Sequence, residues 1–210
     1  MFMTPIDIPF EFRHTCWFCG EPGNREFSLK AGSNSVHPSL SVPCCSECKP
    51  VAAKAPSTSI WECRTYVKDA LIKRYASHLA IGDNWTREEL EESEFSCKIL
   101  SGFRESGWMM YEIARDRVNF RGWSLSLDGV ALDEHWDTSF SFNGLTFASI
   151  GRAVDYYRQL YGLDRDFMTS LLNLLGQSRF GYALKLAKLY RTSPSRDKQR
   201  LLRELADEED

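Results

Sequence analysis

The sequence predicts an α+β protein: a mostly helical body carrying a small antiparallel hairpin sheet, with a cysteine-rich module at its N-terminal end. Three observations lead there. Residues 1–56 are rich in Pro, Gly, Ser and Cys and hold no sustained helical period. Most of the chain after residue 57 repeats its apolar residues at three- and four-residue steps, the mark of amphipathic helices. Between residues 123 and 147 the period shifts to two and is punctuated by Asp-Gly and Asn-Gly, the dipeptides of tight hairpins. The expected organisation is therefore a module over 1–56 and a mainly helical domain over 57–210 with β-hairpins near 123–147.

The first module holds one short hairpin between Phe27 and Val42, and Lys49 to Ser57, with Pro50 and Pro56, reads as a connector. Ser59-Ile60-Trp61-Glu62 has the form of a capping box. Ile60, Cys63, Val67, Ala70, Leu71 and Tyr75 then form one stripe to about Leu79, with Gly82 as the expected stop. Thr86-Arg87-Glu88-Glu89 is a second capping box, opening a stretch with Leu90, Phe95, Ile99 and Leu100. Gly102 and Gly107 are expected to interrupt it before a third helix with Met109, Met110, Ile113 and Arg117. Trp123, Leu125 and Leu127 lead into Asp128-Gly129, and Phe140 and Phe142 lead into Asn143-Gly144, whose residues suit the two φ > 0 positions of a type I′ turn. Helices return with Ala153, Tyr156, Tyr157 and Leu160; then Phe167, Leu171, Leu172, Leu174 and Leu175; then Tyr182, Leu186, Leu189 and Tyr190. Pro194 ends the last of these, and Ser195 caps a final amphipathic segment with Leu201, Leu202 and Leu205.

The cysteines carry the clearest chemistry. Cys16-Trp-Phe-Cys19-Gly20 and Cys45-Ser-Glu-Cys48 are two Cys-x-x-Cys pairs, 25 residues apart. Each pair offers two thiolates from a tight turn, and two pairs complete the tetrahedral shell that Zn²⁺ prefers. Gly20 tolerates φ > 0 and suits a turn that aims N–H groups at the sulfurs. The expected ligands of one Zn²⁺ are Cys16, Cys19, Cys45 and Cys48. Cys44 competes with Cys45, because Cys44-x-x-x-Cys48 is also a usable spacing. A closed four-thiolate shell leaves no open position, so it holds a fold together and needs no catalytic residue. Seven cysteines, five of them in this context, fit a reducing cytoplasm and metal binding rather than a disulfide framework. Cys63 and Cys97 fall on apolar helical stripes and read as small core residues.

With these motifs, and Pro43-Cys44-Cys45-x-x-Cys48-Lys49, residues 12–80 resemble the zinc-ribbon and treble-clef modules of bacterial and phage proteins, including cysteine-bearing relatives of the HNH nucleases. That resemblance implies a catalytically degenerate module, because the nuclease pattern is missing. His37 is the only His between the pairs, in Val36-His37-Pro38, and no Asp-His or His-His dipeptide occurs. His14 stands two residues before Cys16, as a substitute ligand, a donor to a sulfur or an exposed side chain.

The chain lacks a Gly-rich phosphate loop, His-Glu-x-x-His and Gly-x-Ser-x-Gly. Asp133, Glu134, His135 and Asp137 read as a solvated loop. Net charge is −3, so no strongly basic chain tracks nucleic acid as a whole. The charge is uneven, however. Arg179, Lys185, Lys188, Arg191, Arg196, Lys198, Arg200 and Arg203 are opposed within their stretch only by Asp197, before an acidic tail. Arg179, Lys185, Lys188 and Arg191 are the candidate contacts to a phosphate backbone; solvated helix faces are the plainer reading. No apolar run reaches the roughly 18 residues of a membrane span, and Met1 to Phe10 shows no basic-then-apolar signal. The expected function is a cytoplasmic, zinc-stabilised, non-enzymatic binding or adaptor protein. Its expected partner is nucleic acid or a nucleic-acid-handling complex, with a protein partner and no membrane contact otherwise. The alternatives are a diverged metal-dependent HNH-like nuclease using His37, and a protein–protein scaffold.

Overall fold

The computed structural model describes residues 4–32, 35, 37–93, 98–132 and 139–208. Cys97, Phe95, and the cluster Asp133, Glu134, His135 and Asp137 lie outside them, as do the last two residues of the acidic tail. The α+β class holds. The strands are β1 (Thr4–Pro5), β2 (Arg25–Leu29), β3 (Leu40–Cys44), β4 (Ser126–Leu127), β5 (Val130–Ala131), β6 (Phe140–Phe142) and β7 (Leu145–Phe147). The helices are α1 (Cys48–Ala52), α2 (Ile60–Arg74), α3 (Ala76–Asn84), α4 (Arg87–Glu92), α5 (Lys98–Asn119), α6 (Ile150–Tyr161), α7 (Arg165–Leu175), α8 (Phe180–Leu189) and α9 (Ser195–Glu208).

The chain forms two compact units: 1–138 with 143–148, and 139–142 with 149–210. The boundary expected near residue 56 lies inside the first unit. The cysteine-rich segment therefore shares a unit with α2 to α5.

In the first unit, β3 is the centre of a three-stranded sheet. It pairs antiparallel with β2, Phe27 opposite Val42, and parallel with β1. Every residue of β3 is buried. Both hairpins predicted from Asp-Gly and Asn-Gly are present: β4 pairs with β5 and β6 with β7. Asp128 and Gly129 sit at φ 50° and 78°, and Asn143 and Gly144 at 49° and 74°, the type I′ pattern.

The α2 start follows the sequence. The Ser59 side chain accepts from the Glu62 N–H at 3.1 Å, while the Glu62 carboxylate reaches back to Thr58. The helix expected to run to Leu79 is instead two helices, broken at Tyr75. The Tyr75 hydroxyl is engaged with Glu47 and Arg117, so the helix turns where its side chain is drawn out of the stripe. Gly82 is not a stop but an interior residue of α3. A Cβ there would lie 2.2 Å from the Tyr111 ring of α5, so glycine permits the close packing of α3 on α5. The capping box at Thr86 and Glu89 is complete. Gly102 and Gly107 do not interrupt α5, which runs through both; a glycine inside a helix costs about 1 kcal/mol against alanine, and tertiary packing overrides that. Among the described side chains, α5 buries Tyr111, Ala114, Arg117 and Val118 with Gly107 on the same face, whereas Met109 and Ile113, placed in the expected stripe, are exposed.

In the second unit, α6 buries Ala153, Val154, Tyr156 and Tyr157, and α7 buries Phe167, Met168, Leu171 and Leu175. Leu172 and Leu174 are half-buried. The register of α8 differs from expectation. It buries Phe180, Ala183, Leu184 and Ala187, and leaves Tyr182 and Leu189 exposed. Small alanines allow α7 and α8 to approach closely. Asp164 caps α7 by accepting from the N–H groups of Asp166 and Phe167, and its carboxylate meets Lys198 Nζ at 2.9 Å. The Lys198 hydrogen bond, with the Phe167 N–H, holds its pKa below the usual carboxylate value. A folded pKa below the unfolded one gives stability that is present at neutral pH and lost as pH falls. Asp164→Ala is therefore expected to cost about 1 kcal/mol at pH 7, and the gap between variant and wild type should narrow as pH drops below about 4. Urea melts of both proteins at the two pH values check this; a gap that widens in acid would contradict it.

Candidate metal centre

The two cysteine pairs converge because local turns and packed aromatics place them. In the first pair, Cys16 N–H donates to Glu21 O at 2.8 Å and Gly20 N–H donates to Cys16 O at 2.9 Å, closing a tight knuckle. Gly20 sits at φ 77°, and a Cβ on it would lie 2.9 Å from the Phe120 ring, so both conformation and contact demand glycine. The two residues between the cysteines anchor the turn. Trp17 and Phe18 are fully buried; Trp17 Nε1 donates to Trp123 O at 3.0 Å, and the Phe18 ring meets Phe27 edge-on. Trp17 N–H also donates to Pro43 O, tying the knuckle to β3. The second pair follows β3 directly. Cys45 lies just beyond the strand, and Cys48 opens α1.

The sulfurs of Cys16, Cys19, Cys45 and Cys48 all lie within 4.8 Å of one another, and all four residues are buried. Cys19 Sγ and Cys45 Sγ are 3.8 Å apart. A tetrahedron with metal–sulfur bonds of about 2.3 Å has edges of about 3.8 Å. A disulfide would need about 2.05 Å, and these cysteines are free thiols. The donor set therefore fits a four-coordinate metal ion. Cys44 does not join it: its thiol is buried within β3, and burial pushes it up to about 11. Cys45 is the member of the set, which resolves the two spacings.

Four sulfurs this close share protons unequally when no cation neutralises them. Hydrogen bonding with Cys16 brings the Cys19 thiol down to about 7 and lowers Cys45 further. Cys16 is pushed up by Cys19, and Cys48 by Cys16. Backbone N–H groups face the sulfurs: that of Glu21, just after Gly20, donates to Cys19, and that of Cys48 donates to Cys45 Sγ at 3.3 Å.

A cationic set surrounds the thiols. Arg117 of α5 is buried, and its Nη2 donates to Glu47 Oε2 at 2.6 Å and to Cys19 Sγ at 3.7 Å. Its Nη1 donates to the Tyr75 hydroxyl. Glu47 also accepts from Arg74 Nη1 at 2.6 Å and from Tyr75. Burial works against the Glu47 carboxylate, but these partners, Arg117 first, hold its pKa below the usual range. Lys68 Nζ donates to Arg117 O at 2.8 Å. Desolvation draws its pKa down to about 7, and the charge of Cys19 works in the opposite direction. The Arg117 guanidinium beside Cys19 opposes the negative charge that thiolate ligands carry.

The sequence alone does not single out Glu47 or Arg117 as site residues. Glu47 lies between the second pair of cysteines, and Arg117 is a charge on an otherwise apolar stripe; that second anomaly was the available signal. His37 is buried and fully engaged. Its Nε2 accepts from Ile60 N–H and its Nδ1 donates to Pro38 O, each at 2.8 Å. It stiffens the start of α2 and leaves no nitrogen for a metal or a proton transfer. The His14 side chain is exposed, and its carbonyl accepts from Gly23 N–H. Cys63 is buried in α2, with Sγ 3.7 Å from Ala52 O.

Two of the basic residues of α9 are ion-paired. Lys198 pairs with Asp164, and Arg200 with Glu204 at 3.7 Å. Arg179, Lys185, Lys188 and Arg191 lie on or beside α8, which carries no acidic residue. Among the described residues no helix is long and apolar enough to cross a membrane. No family model, curated protein or solved structure matches this chain.

Proposed function

We propose that this chain is a zinc-stabilised, non-enzymatic binding protein whose tetrathiolate centre fastens the knuckle at 16–20 to the start of α1. The observation that carries this reading is the convergence of four buried sulfurs within 4.8 Å. Four thiolates select zinc or iron among common metals, and a shell closed by protein sulfur has no position for substrate. Bound zinc would supply a cross-link between the knuckle and the turn that leads from β3 into α1. The order of knuckle, β2–β3 hairpin and helix, with ligands at the hairpin end and in the first helical turn, supports a treble-clef-like module. The nuclease alternative loses support from His37, whose ring nitrogens both serve the fold.

Titration with a strong chelator tests the proposal. Removal of zinc is expected to abolish the near-ultraviolet circular dichroism of the aromatics around the centre, Trp17 and Phe18 among them, and zinc alone should restore it. An unchanged spectrum in fully metal-free protein would contradict a structural role. Iron-loaded protein would instead be coloured, contradicting zinc as the resident metal.

A further inference from the structure

We infer that α8 presents a stacking and phosphate-binding surface for single-stranded nucleic acid, centred on Tyr182 with Arg179, Lys185 and Lys188. The argument begins with the register of the helix. Because α8 packs through Phe180, Ala183, Leu184 and Ala187, the residues Tyr182, Lys185 and Leu189 share its outward face at steps of three and four. Tyr182 is 43% exposed and Leu189 73%, while Lys185 and Lys188 are exposed.

The surface is also held in shape. The Arg179 guanidinium lies over the Tyr182 ring, 5.1 Å from its centroid. The Lys188 ammonium sits over the Tyr161 ring at 3.4 Å. Arg191 Nη1 donates to Tyr161 O at 3.3 Å. Cations fixed on aromatic faces lose little freedom when a ligand arrives. No acidic residue occurs on α8 itself.

This chemistry favours one kind of occupant. Phosphates of any nucleic acid would meet Lys185 and Lys188. A tyrosine on the outside of a helix reaches the face of a base only where bases are unstacked, as in a single strand. An acidic protein would satisfy the lysines but leave Tyr182 without a role. An anionic membrane would use Leu189 and the lysines, and is separated by the experiment.

Fluorescence anisotropy of the full-length, zinc-loaded protein with labelled single strands of about 16 nucleotides, DNA and RNA, and with the matching duplex, tests the inference. Salt should be varied from about 50 to about 200 mM. The wild type is expected to bind single strands more tightly than duplex. Tyr182→Ala should weaken binding about fivefold or more with an unchanged salt slope, and Tyr182→Phe should stay near wild type, because stacking needs only the ring. Lys185→Gln should reduce the salt slope by about 0.7, the signature of one lost phosphate contact on a single strand. Melting curves confirm that each variant is folded, which the exposure of both side chains favours. Absence of binding at the lowest salt overturns the inference. So does a duplex preference unaffected by Tyr182→Ala. Capture by phosphatidylserine-containing vesicles without oligonucleotide binding assigns the face to a membrane and overturns it equally. None of these results bears on the metal centre, which lies in the other unit.

Discussion

Replacing Cys48 by serine is expected to strip the metal from the protein and abolish the cooperative unfolding of the first unit. Cys48 is fully buried, opens α1 and is one of four sulfurs within 4.8 Å. A hydroxyl in its place leaves three thiolates and a buried polar group. The metal's binding free energy is folding free energy here, on the order of 10 kcal/mol for structural zinc sites. Serine at Cys16, Cys19 or Cys45 should act alike, and no single substitution outside these four should cost as much. Cys44→Ala is the matched control. Cys44 is just as buried but stands in β3 outside the sulfur cluster. It should keep one zinc per chain and lose about 1 kcal/mol of packing. Metal analysis and thermal melts of the two variants together check this. Equal zinc content and equal melting shifts would contradict the ligand assignment.

The second large effect is expected at Arg117. Arg117→Met removes one of the two guanidinium groups that Glu47 holds at 2.6 Å, Arg74 being the other, and with it the guanidinium beside Cys19. Glu47 is partly exposed and keeps Arg74 and the Tyr75 hydroxyl, so the loss should be about 1.5–3 kcal/mol, that of a hydrogen bond to a charged group. Arg117→Lys keeps a charge but loses the fork that reaches Glu47, Tyr75 and Cys19 at once, so it should recover only part of that loss. Zinc should stay bound in both but exchange faster with a chelator, since the guanidinium contact to Cys19 Sγ is gone. Chelator competition kinetics and urea melts measure the two effects separately. A melting midpoint and exchange rate equal to wild type in Arg117→Met would show that the network is a surface decoration.

The ligand set and the hairpins were legible in the sequence because each is a local property. Two Cys-x-x-Cys turns declare their donors by spacing, and Asn143-Gly144 declares its turn by the φ values those residues tolerate. What the sequence concealed depends on contacts between distant residues. Cys44 and Cys45 were equivalent by spacing, and only the end of β3 separates them. Gly82 reads as a stop until the Tyr111 ring is placed against it. Gly102 and Gly107 read as breaks, yet α5 continues because its packed face overrides propensity. In α8, Tyr182, Leu186 and Leu189 form the more conspicuous stripe, but the smaller face of Ala183 and Ala187 permits closer packing and takes the interior. Arg117 was visible as a charge in an apolar stripe, but its partner Glu47 lies 70 residues away and no periodicity joins them.

The central claim is that Cys16, Cys19, Cys45 and Cys48 together hold one zinc ion. X-ray absorption at the zinc edge, on protein purified without chelator and with metal content measured in the same sample, tests it most directly. The account predicts one zinc per chain with four sulfur neighbours at about 2.3 Å and no nitrogen or oxygen in the shell. A shell containing nitrogen or oxygen, or protein that folds without metal, would contradict it.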